Sequence, residues 1–315
     1  MKTTAVQKPQ SPALRELPDK VAERPRIDQA IGWIVLVAFV AWVVWLFVDN
    51  DNIELPVVSE YLFNGNVMHG LVNTLLLAVC AEIIAIVLGT VVGFARMSRN
   101  PVFAMAGWLF VWLFRSTPLV VQILVWGNLA LFLPRLGFGG SSVDTNSVLT
   151  PFVAGVVALS LHETAYVAEI FRSGMMAVPR TQREASSALG LGWWQMQRHV
   201  VVPQALRVMI PPAGSAFVLL LKSTSLVVVI SGGDLLTETQ NIASVNLRTI
   251  ELLMVATIWF LAVTSIASVG QWALERRFDR QNRQLRPGRS RRSTDRRPVV
   301  SNELPGAGPA VDGAR

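Results

Sequence analysis

The stretch EASSALGLGWWQMQRHVVVP, residues 184–203, is polar and punctuated by glycine, and it lies between two long apolar runs. Apolar residues recur at about helical spacing on both sides of Gly190 and Gly192, and glycine ends helices because it adopts the left-handed conformation without strain. The pattern predicts two short helices joined by a glycine turn within residues 176–203, a segment called the elbow from here on. A rigid elbow between two membrane spans is suited to contact with a soluble partner, because helices transmit motion that a flexible loop absorbs. A helix pair that lies on the membrane surface and only links the two spans fits the same residues.

The sequence on either side of the elbow is apolar enough to form membrane spans. The chain has 315 residues, of which 52% are hydrophobic, and its mean hydropathy is positive. This balance, arranged in long runs, excludes an ordinary soluble domain. A transmembrane helix needs about 20 mostly apolar residues. Six stretches meet or approach that length: 30–48, 67–95, 102–133, 151–173, 205–230 and 250–273. The sequence therefore predicts an all-α fold, a polytopic membrane helix bundle with six transmembrane helices.

Basic residues predict the orientation of these spans. With the N-terminus in the cytoplasm, 24 of the 28 Lys and Arg residues fall on the cytoplasmic side or in the tails attached to it, as the positive-inside rule requires. Both termini are therefore predicted to be cytoplasmic. Residues 1–28 form a basic N-terminal tail, residues 29–49 an extra first transmembrane helix, and residues 279–315 a basic tail whose composition predicts disorder. Such tails meet anionic membrane lipids more simply than they meet nucleic acid.

A few polar side chains lie inside the predicted spans, where a charge costs about 2.5–3.5 kcal/mol on insertion scales and needs a reason. The candidates are Glu82, Arg115, Gln122, His162, Glu163 and Lys222. Pro118, three residues after Arg115, predicts a kink in the third span. Two explanations stay open for the charges. One is ion pairing between helices, in which Arg115 or Lys222 would pair with Glu82 or Glu169. The other is contact with a zwitterionic substrate, whose ammonium needs a carboxylate and whose carboxylate needs a cation.

Between the last two spans, residues 231–249 are predicted to form an external loop. Asp234 follows Gly232 and Gly233 there, and aspartate is a preferred residue at the start of a helix. The pattern predicts a short capped helix at the membrane surface.

Several kinds of site are missing from the sequence. No GxxxxGK[ST] phosphate loop occurs, so the chain does not bind ATP through that motif. Cys80 is the single cysteine, and His69, His162 and His199 do not fall at metal-ligand spacings. No Ser/His/Asp or Cys/His arrangement is present either. The sequence predicts a protein that is not an enzyme and that has no metal and no cofactor of its own.

The elbow also carries the motif of a known family. Glu184-Ala185-Ser186, followed by Gly190 and by an aliphatic-x-aliphatic end at Pro203, resembles the EAA loop of binding-protein-dependent ABC importer permeases. In that family the loop docks onto the ATPase subunit. The resemblance implies that the residues coupling this chain to an ATPase are Glu184, Ala185, Ser186, Gly190, Leu191 and Pro203.

Three further stretches extend the resemblance to the polar amino-acid uptake branch of these permeases. They are FRSTPLVVQ (114–122), AYVAEIFRSGMMAVP (165–179) and PQALRVMIPPAGSAFVLLLKSTSLVVVI (203–230). The similarity covers residues 66–278 and implies a permease transmembrane domain of the type I importer kind. Three positions depart from the family pattern: Thr181 and Ser186 stand where Gly and Ala are usual, and Ser215 stands where Asn is usual. These departures and the extra first helix leave the choice of substrate and partner open.

The resemblance implies a transmembrane permease subunit of an ATP-driven ABC importer for polar amino acids, in the bacterial inner membrane. Its implied partners are a cytoplasmic ABC ATPase that uses the ATP, an extracytoplasmic solute-binding protein, and a second permease subunit, identical or related. His162 and Glu163 are the favoured substrate contacts, because they open the AYVAE stretch that the family uses near its midplane site.

Other functions fit parts of the sequence. The same polar side chains, Glu82, His162 and Glu163, suit a proton relay in an ion-coupled secondary transporter. A membrane scaffold that acts through its basic tail is another alternative. An importer of the same architecture for another small solute, such as an opine or an osmolyte, is the nearest one.

Overall fold

The computed structural model describes residues 26–48, 53–137 and 142–285. Within them the chain is helical except for one short pair of antiparallel strands, β1 (Arg135–Leu136) and β2 (Val143–Asp144). The helices are α1 (Arg26–Val48), α2 (Leu55–Leu62), α3 (Gly65–Arg96), α4 (Pro101–Ser116), α5 (Leu119–Gly127), α6 (Leu129–Phe132), α7 (Thr145–Val148), α8 (Pro151–Ala177), α9 (Arg180–Ala188), α10 (Trp193–Met196), α11 (Val202–Ser223), α12 (Leu235–Asn246) and α13 (Thr249–Leu285). A π-helical turn, Gln197–Val201, joins α10 to α11, and a 3-10 segment, Thr224–Ile230, extends α11.

The prediction of an all-α polytopic membrane bundle is confirmed. Four helical runs are long and apolar enough to cross a membrane alone: Gly65–Arg96, Pro151–Ala177, Trp193–Ile230 and Thr249–Phe278. The bent pair α4 and α5 supplies a fifth candidate span. Helix α1, which covers the predicted first span, has 23 residues, with an apolar stretch at Ile31–Trp42.

The third predicted span, 102–133, is not one straight helix. Helix α4 ends at Ser116, α5 begins at Leu119, and the angle between them is 100°. Proline lacks an amide N–H and disfavours helical backbone at the residue before it, and Thr117 accordingly has an extended ψ of 138°. The kink predicted at Pro118 is therefore confirmed, in the form of a sharp break.

Helices α3 and α8 pack closely because glycine lets their backbones approach. Gly155 of α8 lies beside Leu77 of α3 at one end of the contact, and Gly93 of α3 lies against Phe171 of α8 at the other. Small residues at such positions are typical of packed membrane helices. Helix α3 turns its opposite face outward, where Val87 and Val91 are 60% and 61% exposed. An apolar outer face is stable against lipid rather than water.

Helix α12 lies where the sequence predicts a capped helix. Asp234 caps it, and its carboxylate accepts a hydrogen bond of 3.1 Å from the Leu236 amide. The first turn of the helix is buried in the bundle, since Asp234 and Leu235 are fully buried and α12 packs against α3 and α13. The Leu235 amide also donates to Thr74 Oγ1 of α3 at 2.9 Å. Burial of its first turn makes α12 part of the bundle.

Two predicted boundaries differ from the structure. The second predicted helix of the elbow is not a short separate helix, since α10 continues through the π-helical turn into α11 as one run, Trp193–Ile230. Helix α13 continues to Leu285, so the first residues of the predicted disordered tail, 279–285, are helical. The remainder of that tail, 286–315, and residues 1–25 lie outside the described residues.

Candidate functional site

The break between α4 and α5 places a buried amide next to α8. Gln122, only 7% exposed, donates hydrogen bonds to the carbonyl oxygens of Phe114 (2.9 Å) and Thr117 (3.1 Å). The same nitrogen lies 3.3 Å from Nδ1 of His162 on α8. Two of the predicted substrate-path residues, Gln122 and His162, are therefore in contact.

Three buried side-chain oxygens, on α3, α5 and α8, have no hydrogen-bond donor among the described residues: Glu82 Oε2, Gln122 Oε1 and Glu163 Oε1. Glu163 is 5% exposed and follows His162 directly on α8. Glu82 lies on α3, which packs against α8, the helix that carries Glu163. A buried acceptor without a donor costs about 1–3 kcal/mol, so this group of oxygens is suited to a ligand that brings several N–H donors. These three atoms are called the acceptor cluster below.

A row of side chains connects the acceptor cluster to Arg115. The rings of His162 and Tyr166, one helical turn apart on α8, have centroids 5.2 Å apart. The guanidinium carbon of Arg115 lies 5.1 Å from the centroid of the Tyr166 ring, within the range of a cation–π contact. Tyr166 was not among the predicted site residues, although its spacing of four from His162 is a signal that the sequence contains.

The ion pairs considered from the sequence do not form among the described residues. Within residues 26–48, 53–137 and 142–285, no carboxylate oxygen lies within 4.0 Å of the Arg115 guanidinium or the Lys222 ammonium. Glu169 instead pairs with Arg96 of α3 and with Arg172, whose Nε lies 3.1 Å from Glu169 Oε1. Lys222 is exposed in the last turn of α11 and makes no hydrogen bond or ion pair with another predicted path residue among the described residues.

The elbow presents part of its predicted coupling set to the outside. Glu184, Ala185 and Pro203 are exposed. Ser186 is 5% exposed and donates to the Gln182 carbonyl at 2.7 Å, so it stabilises α9 from within. Its carbonyl accepts a hydrogen bond of 3.1 Å from the Leu191 amide, which closes the turn.

Gly190 makes that turn possible. Its φ is +77° and no atom lies within 4 Å of the place where a Cβ would stand, so the need for glycine is one of backbone conformation and not of space. Beside the turn, Leu189, Trp193 and Trp194 are 82%, 61% and 70% exposed. The elbow thus offers an apolar ridge next to the carboxylate of Glu184. The guanidinium of Arg183 donates to the Met175 carbonyl and ties α9 to the end of α8.

Comparison with known proteins identifies the family. Residues 85–280 match the model of the family described as binding-protein-dependent transport system inner membrane component. The arginine transport system permease protein ArgU of Corynebacterium glutamicum is 36% identical over 276 residues, which are 86% of this chain and 87% of that protein. The glutamine transport system permease protein GlnP of Escherichia coli is 32% identical over 67% of this chain and 92% of that protein.

Solved structures agree with this assignment. A crystal structure of an amino acid ABC transporter with histidines has a TM-score of 0.59 and 30% identity, and the match covers 67% of this chain and 94% of that one. An inward-facing structure of the MetNI methionine ABC transporter shares the fold, with a TM-score of 0.52 at 17% identity over 67% of this chain and 95% of that one. This chain therefore belongs to the family of binding-protein-dependent transport system inner membrane components.

Proposed function

We propose that this chain is a transmembrane permease subunit of an ATP-driven ABC importer for amino acids, and that its preferred substrate carries a cationic side chain. The observation that carries the substrate class is the acceptor cluster, whose buried oxygens lack donors among the described residues. A guanidinium offers five N–H donors and a full positive charge. Relationship to an arginine permease at 36% identity supports the same substrate class.

The proposed arrangement in the membrane follows the sequence prediction. The chain has six spans, with α1 as the first, and both termini are cytoplasmic, which places the elbow on the cytoplasmic side. There the elbow docks onto an ABC ATPase that hydrolyses the ATP, and the chain itself needs no cofactor. A solute-binding protein delivers substrate at the opposite face, and a second permease subunit completes the pathway.

The geometry of the elbow supports a mechanical role. Helix α9 is tied to the end of α8 by the bond between Arg183 and the Met175 carbonyl, and α8 carries His162 and Glu163. A push on α9 by a closing ATPase is therefore transmitted along a rigid helix to the acceptor cluster. Because packed bundles switch between discrete arrangements rather than deform continuously, such a push would alternate the access of the site.

The substrate class is tested by uptake of radiolabelled arginine into proteoliposomes that contain the full complex and ATP. Glu82→Gln and Glu163→Gln each remove one of the carboxylates that attract the cation. We expect roughly a 10-fold or greater loss of apparent affinity from either change, the size of a charge-assisted hydrogen bond. Glu60→Gln, at an exposed position of α2, is the matched control and should transport normally. Strong uptake of a neutral amino acid in place of arginine would contradict the cationic preference.

The coupling role is tested by copurification of the ATPase and by ATP-dependent uptake. Glu184→Lys reverses the exposed charge of α9 and should release the ATPase while the chain stays in the membrane. Gly190→Ala forces an alanine into a φ of +77°. Gly192→Ala falls at a φ of −62°, and its Cβ would meet only Gln195 Oε1, at an ordinary contact distance of 3.8 Å. We expect Gly190→Ala to lower uptake per ATP hydrolysed and Gly192→Ala to leave it unchanged.

Transport driven by a proton gradient in place of ATP would overturn the proposal. The acceptor cluster also suits a proton carrier, because carboxyl groups inside membrane spans form the proton relays of ion-coupled transporters. A chain that purifies without an ATPase and takes up substrate in response to a pH gradient alone would be an ion-coupled transporter.

A further inference from the structure

A cleft of about 300 Å³ is lined by residues of α3, α4 and α8. Its charged lining residues are Arg96, Arg115 and Glu169, and the stacked rings of Trp108 and Trp112 form an apolar part of its wall. The volume lies at the lower end of the range for small-molecule sites, which starts at about 300 Å³. The proposed function assigns a role to the buried oxygens but none to the positive charge in this cleft.

Two of the three charged residues in the cleft, Arg96 and Glu169, form an ion pair with each other. Glu169 accepts from Arg96 and also from Arg172, so its carboxylate is held between two guanidinium groups. Arg115 has no carboxylate partner among the described residues, and its guanidinium rests over the ring of Tyr166. The cleft therefore carries one exposed cation with which a ligand carboxylate can pair.

The position of Arg115 relative to the acceptor cluster is fixed by short contacts. Gln122 contributes an oxygen to the cluster and bonds through its nitrogen to the carbonyls of Phe114 and Thr117, which flank Arg115 and Ser116. His162 and Tyr166 connect the same two places along α8. The Arg115 guanidinium, which can bind an anion, and the acceptor cluster, which can bind a cation, are thus held near one face of α8. They lie about one to two helical turns apart.

We propose that Arg115 binds the α-carboxylate of the transported amino acid, while the acceptor cluster binds its cationic end. This inference rests on the proposed function. Arginine pairs with carboxylates through two parallel hydrogen bonds, and the Tyr166 ring holds the guanidinium in a fixed orientation for that contact. A zwitterion with a cationic side chain then satisfies the unmatched groups at both ends of the site, and an amine that lacks the carboxylate satisfies only one end.

The test is equilibrium binding of arginine and of agmatine, which is arginine without its carboxylate. The full-length chain is purified with its associated subunits in lipid nanodiscs, and each ligand is measured on wild type and on Arg115→Gln. We expect Arg115→Gln to weaken arginine binding about 10-fold or more, the size of a charge-assisted hydrogen bond, and agmatine binding less than about 3-fold. Arg115→Lys keeps the charge and should restore part of the arginine affinity. Arg99→Gln, at an exposed position between α3 and α4, is the control and should change neither.

Agmatine binding by Arg115→Gln also reports whether the variant is folded. Equal losses for both ligands would mean that Arg115 supports the bundle and does not contact the carboxylate, and the inference would be wrong. Unchanged arginine binding by Arg115→Gln would show that Arg115 does not contact the carboxylate, and the inference would again be wrong. If wild type binds neither ligand, the proposed substrate class itself is wrong, and the inference falls with it.

Discussion

The side-chain nitrogen of Gln122 donates a hydrogen bond of 2.9 Å to the carbonyl oxygen of Phe114, across the break between α4 and α5. In an uninterrupted helix that carbonyl would accept from the amide four residues later, and that residue is Pro118, which has no amide hydrogen. Gln122 therefore supplies the donor that proline removes. The break leaves this carbonyl paired, as a buried backbone oxygen in a membrane protein must be.

Because Gln122 replaces the donor that Pro118 lacks, the effect of mutating Gln122 should depend on whether residue 118 is proline. Gln122→Ala leaves the Phe114 carbonyl without its partner and should cost about 1–3 kcal/mol of stability. In the double variant Gln122→Ala/Pro118→Ala the backbone amide at 118 can replace the lost donor, so the cost should be smaller. Thermal unfolding of the purified variants in detergent measures both changes, with the exposed Gln240→Ala as control. A Gln122→Ala cost that is the same with and without Pro118 would contradict this account.

Gly89 provides a second prediction about the bundle. A Cβ built on Gly89 of α3 would lie 2.6 Å from the Cβ of Val167 on α8, whereas a Cβ on Gly270 of α13 would meet nothing within 4 Å. Alanine is favoured over glycine inside a helix by about 1 kcal/mol. A Gly→Ala change therefore stabilises the chain where the new Cβ has room and destabilises it where the Cβ meets another helix. Gly270→Ala should raise the Tm or leave it unchanged, and Gly89→Ala should lower it because α3 and α8 are forced apart. A higher Tm for Gly89→Ala would mean that the two helices separate without cost.

The features that the sequence predicts correctly are those set by the backbone preferences of single residues. The break at Pro118 and the turn at Gly190 depend on the residues themselves, and both were expected. The pairing of Arg96 with Glu169 joins residues 73 positions apart, and the contact of Arg115 with Tyr166 joins α4 to α8. Helical spacing gives the face of a helix on which a side chain lies, but it does not say which helix that face meets. Partners across the bundle were therefore the part that sequence reasoning missed.

Asp234 makes stability depend on pH. Burial raises the pKa of the Asp234 carboxyl above its usual value, although hydrogen bonds from Thr237 and the Leu236 amide act in the opposite direction. An acid whose pKa is higher in the folded chain binds more protons there than in the unfolded chain, so the free energy of unfolding falls as pH rises between the two pKa values.

Asparagine at position 234 keeps a side-chain oxygen for the cap and removes the titration. We expect Asp234→Asn to gain stability relative to wild type as pH rises above about 4, the ordinary pKa of aspartate. Unfolding of both proteins at several pH values measures the difference. Asp144→Asn replaces an exposed cap, that of α7, and is the matched control. A difference between Asp234→Asn and wild type that does not vary with pH would contradict the prediction.

Two arginine–glutamate ion pairs join distant parts of the described chain, and they differ in how far their side chains are exposed to solvent. Arg96 and Glu169 are 16% and 27% exposed, whereas Arg248 and Glu54 are 41% and 50% exposed. Removing one partner of a shielded pair leaves an uncompensated charge with little water around it, but water and salt already weaken an exposed pair. Glu169→Gln should therefore cost about 1–3 kcal/mol, below the full cost of breaking a buried pair because the groups are partly exposed. Glu54→Gln should cost less than about 1 kcal/mol.

The comparison is made by unfolding both variants at low and at high salt. Glu54→Gln keeps the backbone amide that donates to Glu251 at 3.2 Å, so it removes charge without freeing the end of α2. We expect the small effect of Glu54→Gln to vanish at high salt and most of the effect of Glu169→Gln to persist. Since Glu169 also lines the cleft at Arg115, its loss should leave Arg96 and Arg172 free to compete for the substrate carboxylate. Equal losses of stability that respond equally to salt would mean that the pair at Glu169 is as accessible to solvent as the outer one.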